Sequence, residues 1–169
     1  GMYRPATSEQ GDTPYILVQW FEKGRRPLLS ELREIENADV ISEMKKSGIE
    51  IKDLSSRSKI GQPRYYEYKN VIWLEMQEGT GDDSRKNISA TFPTEIGLFQ
   101  VTGSFSMKSE EYKADLLAFC NLVDSVKFPK AVTYNKYASS GGDMTSRLIS
   151  MLIVLLILLV VTMVGSKYI

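Results

Sequence analysis

The sequence has no histidine and a single cysteine, Cys120. Without histidine the chain lacks the commonest general base, the commonest metal ligand and the side chain that switches charge near neutrality. One cysteine can form no intrachain disulfide and no cysteine-pair metal site. Net charge is lacking too: 21 basic residues balance 21 acidic ones. The basic residues are dispersed rather than gathered in a stripe, so a nucleic-acid partner is not expected. A phosphate-cradling glycine loop and a nucleophile elbow are also missing. These absences leave no catalytic residue, no cofactor site and no metal site to nominate, and the chain reads as a non-enzyme. The N-terminus lacks the basic-then-apolar pattern of a secretory signal. Gly1 before Met2 reads as the residue left by tag cleavage before a native start, the alternative being an internal methionine. Residues 1–14, rich in Pro, Thr, Ser, Gln, Gly and Asp, read as a flexible lead.

The strongest positive feature lies at the other end. Leu148 to Ser166, within an expected transmembrane helix over 147–166, is a run of 19 residues without a charge. At the helical rise it measures about 28 Å, against roughly 30 Å of bilayer hydrocarbon. Its apolar positions include Leu148, Ile149, Leu152, Ile153, Leu155, Leu156, Leu158, Leu159, Val160, Val161 and Val164. A helix apolar on every side needs a lipid surround or a protein larger than this one to cover it. Ser150 and Thr162 can bond back to the carbonyl one turn earlier. The expected partner is therefore the lipid bilayer, crossed once, with residues 167–169 as a short tail. With no signal sequence the N-terminal domain is expected to face the cytoplasm; if a signal was removed, the periplasm is the alternative.

Before the anchor, residues 129–146 contain Ser139, Ser140, Gly141 and Gly142 and read as a flexible tether with a reach of roughly 20 to 25 Å. Tyr134 and Tyr137 fit either the headgroup level or a solvated linker. Lys23, Arg25 and Arg26 form a basic loop; Arg25 and Arg26 are candidates for contact with anionic headgroups, a solvated loop being the bland alternative.

Residues 15–128 have the composition of one modest soluble domain. Tyr15 to Phe21 (YILVQWF) is a buried strand. Ser30 is a candidate N-cap for a helix that carries Leu32, Ile35, Val40, Ile41 and Met44 on one face and stops at Gly48. Ile49 to Leu54 alternates as a half-buried strand, and the polar run Ser55 to Gly61 reads as a loop. Tyr65 to Gln77 is rich in β-formers, with Ile72, Leu74 and Met76 on one face, Val71, Trp73 and Glu75 on the other, and a hairpin or bulge at Lys69-Asn70. Ile88 to Phe92 and Ile96 to Ser106 continue the sheet, the latter with Phe99, Val101 and Phe105 on one side. A second helix follows a Ser109 cap, with a stripe of Tyr112, Leu116, Phe119, Cys120 and Val123. Cys120 on that stripe is a small core residue, or else a reactive thiol. The fold class is α+β, an antiparallel sheet flanked by helices.

Three segments resemble the PsbP-like α/β/α sandwich family over roughly residues 15–128: IGLFQVTGSFS (Ile96 to Ser106), SEEYKADLLAF at the start of the second helix, and LVDSVKF (Leu122 to Phe128). The resemblance implies a further strand or pair ahead of Tyr15. It also implies binding or assembly roles without shared catalytic residues, and it transfers no site.

The remaining clusters have a functional and a bland reading each. Glu75, Glu78, Asp82 and Asp83 could ligate calcium but lack the spacing of a calcium loop, and a solvated turn explains them. Asn87-Ile88-Ser89 fits the glycosylation acceptor pattern. Trp20, Trp73, Tyr65, Tyr66 and Tyr68 could form an aromatic binding surface, with most of them in the core. The functional expectation is a membrane-anchored accessory domain that binds a protein partner. The alternative is a small-ligand or lipid-binding domain with a pocket lined by Phe99, Val101, Phe105 and Trp73.

Overall fold

The computed structural model describes residues 2–3, 14–22, 27–42, 58–81 and 84–136. Among these, seven strands form one sheet: β1 (Met2–Tyr3), β2 (Tyr15–Glu22), β3 (Ser58–Ile60), β4 (Arg64–Tyr66), β5 (Val71–Glu78), β6 (Arg85–Pro93) and β7 (Gly97–Ser106). The spatial order is β1-β2-β7-β6-β5-β3, with β4 also pairing β5. Every pairing is antiparallel. Helices α1 (Leu29–Glu34) and α2 (Tyr112–Ser125), with a 3-10 turn at Ile35–Asn37, make the fold α+β. No helix among the described residues is long and apolar enough to cross a membrane. The expected anchor at 147–166, residues 137–146 of the tether, and Arg25 and Arg26 all lie outside the described residues.

Strand alternation divides the core between the two sheet faces. On one face Val71, Ile88, Ala90, Phe92, Val101 and Phe105 pack against Phe119 and Val123 of α2, with Tyr112 and Leu116 alongside. This is the expected helix stripe, pressed onto the expected strand faces. On the other face Ile72 packs with Tyr65 of β4, with Leu32 of α1 and with Ile35 just after that helix. Phe99, Val101 and Phe105, nominated as pocket lining, are part of the α2 core: Val101 and Phe105 are buried and Phe99 packs edge-on to Phe128.

The hairpin between β4 and β5 takes its shape from Asn70. Tyr66 pairs with Val71, leaving Glu67 to Asn70 as the turn. Asn70 lies in the left-handed region at φ 51°, where its short amide is tolerated better than other side chains. Its Nδ2 donates to the Pro93 carbonyl at 2.9 Å and its Oδ1 accepts from the Tyr65 hydroxyl at 2.8 Å. Asn70→Ala therefore loses two hydrogen bonds and keeps the backbone strain, a destabilisation of about 2 kcal/mol. Asn70→Gly relieves the strain and recovers about half of that. The urea midpoints of the two variants, at unchanged slope, check both the order and the size.

Several boundaries differ from the sequence expectation. Helix α1 is capped by Leu28 rather than Ser30: Leu28 is extended after Pro27, and the Glu31 carboxylate accepts its N–H at 2.7 Å. The helical periodicity is interrupted after a 3-10 turn, Ile35–Asn37, because Ala38 is extended. Asp39 then starts a new turn by accepting the Ser42 N–H at 3.0 Å and the Ser42 hydroxyl at 2.7 Å. The polar loop expected over Ser55 to Gly61 contains β3, whose Ile60 pairs with Met76. A three-residue edge strand is too short to show alternation. Residues 2–3, within the expected lead, pair with Ile16 and Leu17 as β1. The expected strand Ile49 to Leu54 lies outside the described residues.

The first eight residues of the expected tether, 129–136, are folded onto the domain. Thr133 bridges to Thr94, the Glu95 N–H donates to the Val132 carbonyl at 3.1 Å, and the Asn135 N–H donates to Glu95 Oε1 at 2.6 Å. Tyr134, a candidate for the headgroup level, instead donates its hydroxyl to the Pro27 carbonyl at 2.8 Å. Lys136 reaches Glu67 at 3.2 Å, and Arg33 reaches the same carboxylate at 2.7 Å. Arg33 and then Lys136 hold the Glu67 carboxyl below its ordinary range. Their small contribution is present above the range where an unfolded glutamate titrates and is lost as pH falls through the lowered value.

Candidate functional site

The β4–β5 hairpin stands beside α2, and the two enclose a partly open groove of about 240 Å³. Tyr66, Tyr68, Lys69, Val71 and Trp73 line it from the hairpin, and Cys120, Val123 and Asp124 from the helix. The placement follows from pairing and period. Register puts Tyr66, Val71 and Trp73 on the α2 side of the sheet, and one helical turn separates Cys120 from Asp124.

Tyr66 and Tyr68 stand nearly perpendicular, with ring centroids 6.2 Å apart and planes at 85°. Tyr68 is 79% exposed, so one ring face is available to a ligand. The Lys69 ammonium lies 5.7 Å from the Tyr68 ring centroid and forms an ion pair with Asp124. Asp124 raises the Lys69 pKa, which keeps the ammonium charged. The groove thus presents aromatic surface and one charge of each sign.

Trp73 forms the inner wall. Its ring meets Phe119 edge-on at 6.0 Å, and its indole N–H donates to Glu75 Oε1 at 2.9 Å. Glu75 pairs in turn with Lys86 at 2.7 Å. Burial by itself would raise the Glu75 carboxyl, but the hydrogen bonds from Lys86 and Trp73 outweigh it and hold the group below its usual range. Glu75 is therefore a wall-positioning carboxylate. Of its expected acidic companions, Glu78 is half-buried at the end of β5, and Asp82 and Asp83 lie outside the described residues.

Cys120 faces the groove, yet its environment does not favour the thiolate. Burial, and then the Asp124 charge, push its pKa up. Reactive cysteines have the opposite setting. At pH 7.5 the native thiol should react with an aromatic disulfide reagent about tenfold or more slowly than free cysteine, and approach the free rate in denaturant. Native reaction at the free rate would show that the thiol is exposed and ionises normally.

The five aromatic candidates separate. Tyr66, Tyr68 and Trp73 meet in the groove. Tyr65 is buried on the opposite face, and its hydroxyl is pushed up by burial first and by Tyr134 second. Trp20 lies on β2, paired with Phe99, and is 44% exposed. The glycosylation triplet is inside β6, where Asn87 is 1% and Ser89 4% exposed, so the folded chain does not present it. No group of three or more Asp, Glu, His or Cys placed to hold a metal occurs among the described residues.

Alternation alone does not reveal one further cluster. On the face away from α2, Ser89, Thr91, Gln100, Thr102 and Ser104 are buried. The Gln100 amide donates to Ser89 Oγ and, at 3.3 Å, to Thr91 Oγ1. Arg85 donates to Ser104 Oγ at 3.1 Å. These side chains bond to one another across β6 and β7, while Gln100 Oε1 is buried without a hydrogen-bond partner among the described residues.

Comparison of the chain with protein families, with curated proteins and with solved structures finds no match.

Proposed function

We propose that this chain is a non-enzymatic accessory domain, a PsbP-like α/β/α sandwich held at a membrane by residues 147–166 and binding a protein partner through the hairpin–α2 groove. The observation that carries the binding role is the groove itself: the exposed Tyr68 ring, backed by half-buried Tyr66 and Trp73 and beside a charged pair, is the kind of surface that recognition favours. The anchor reading rests on the uncharged run Leu148 to Ser166.

Affinity capture from detergent-solubilised native membranes tests the proposal with three forms: the full chain, a form ending at Ser146, and the full chain with Tyr68→Ala. Because Tyr68 is 79% exposed, its truncation leaves the core intact. The proposal expects the same partner with the first two forms and its loss with the third. A partner lost with the anchor and indifferent to Tyr68 would move the function into the span. Recovery of no partner would contradict the binding role.

A further inference from the structure

Lys136, the last described residue, is held by Glu67, the first residue of the hairpin turn that carries Tyr68 and Lys69. Only residues 137–147 separate this point from Leu148, and a chain of that length can span at most about 40 Å. On the anchored reading proposed above, on which this step rests, the hairpin lies within reach of the lipid headgroups.

We infer that the groove holds the phosphocholine headgroup of the bilayer while no protein partner occupies it, the two competing for the same aromatic rings. A trimethylammonium group has no N–H to donate and is recognised by aromatic faces and a nearby carboxylate. Tyr66, Tyr68 and Trp73 supply the faces, and Asp124 supplies the charge. The structure already shows a cation in this setting, because the Lys69 ammonium sits over Tyr68 and pairs with Asp124. A zwitterion can divide that pair between its two ends: its ammonium takes the place beside Asp124, and its phosphate takes the displaced Lys69. Neither charge is left without a partner when the headgroup enters. A simple cation would lack the second contact, and an anionic headgroup would lack the first.

The test uses the full chain in maltoside micelles, which contain no choline, carrying Trp20→Phe so that Trp73 is the only indole. Phosphocholine is added from free solution, so that the outcome does not depend on where the domain sits relative to a membrane. Saturable change in Trp73 emission is expected, with a Kd on the order of 1 mM. Phosphoethanolamine and the uncharged-carbon analogue 3,3-dimethylbutyl phosphate should bind about fivefold or more weakly. Tyr68→Ala should weaken phosphocholine by a similar factor, and Tyr68→Phe, which keeps the ring, should not. Lys69→Ala should weaken phosphocholine but strengthen tetramethylammonium, because it removes the resident ammonium. Vesicles of phosphatidylcholine and phosphatidylglycerol then distinguish bilayer headgroup from free solute, with only the former expected to shift Trp73 emission. No saturation by 20 mM phosphocholine, equal binding of the three phosphate esters, or indifference to Tyr68→Ala would each overturn the assignment. If phosphocholine binds while the chain fails to associate with membranes, the anchor reading falls and the groove chemistry stands.

Discussion

Phe119→Ala should cost the domain about 3 to 5 kcal/mol, a large share of the 5 to 15 kcal/mol that holds a typical domain together. Phe119 is fully buried at 0% exposure and sits where the helix meets the sheet. Its ring is edge-on to Phe105 at 5.5 Å and to Trp73 at 6.0 Å. Truncation removes both ring contacts and leaves a cavity that rigid strands on one side and a helix on the other cannot close. The same ring seats α2, so the wall of the groove at Cys120 and Val123 shifts with it. A urea midpoint lowered at unchanged slope, together with loss of the near-ultraviolet signal of Trp73, is the expected result. A loss under 1 kcal/mol would mean that α2 does not rest on Phe119.

Gly103→Ala should be nearly as damaging, about 3 kcal/mol, for the opposite reason. A Cβ at this position would lie 2.5 Å from Phe105 Cζ, 2.7 Å from Phe105 Cε2 and 2.8 Å from Phe119 Cδ2. The missing side chain is the space in which the two rings meet. Both rings are buried, and neither can swing into solvent to make room. The clash predicts its own remedy. Adding Phe105→Leu to Gly103→Ala removes the two nearest clashes, so the double variant should be at least about 1 kcal/mol more stable than the sum of the single losses. Simple additivity would show that the methyl is accommodated elsewhere.

The parts of this arrangement that were legible in the sequence are those carried by a regular period. Leu116, Phe119 and Val123 announce the buried stripe of α2, and the alternation of β5 and β7 sorts Ile72 from Trp73 and Val101 from Gln100. Lys69-Asn70 marks the hairpin because Asn tolerates a positive φ. The groove was not legible, because its halves are brought together by tertiary packing: Lys69 and Asp124 are 55 positions apart. Tyr66 and Tyr68 stood out as aromatics, but nothing local distinguishes a tyrosine at a groove from a tyrosine in a core. The docked segment 129–136 was missed for a similar reason. Its one proline and its polar residues have linker composition, and it is held by bonds to Thr94 and Glu95 that have no signature in side-chain pattern. The buried polar row of Ser89, Thr91 and Gln100 looks like a wetted strand face until the hydrogen bonds between β6 and β7 are seen.

Attachment of the domain to a bilayer by its C-terminal run underlies the proposed function. Membranes bearing the full chain, washed in alkaline carbonate and floated on a density gradient, test this directly. The full chain should rise with the lipid, and the form ending at Ser146 should stay in the dense soluble fractions. Release of the full chain by carbonate would contradict the anchor, and so would flotation of the form that lacks it.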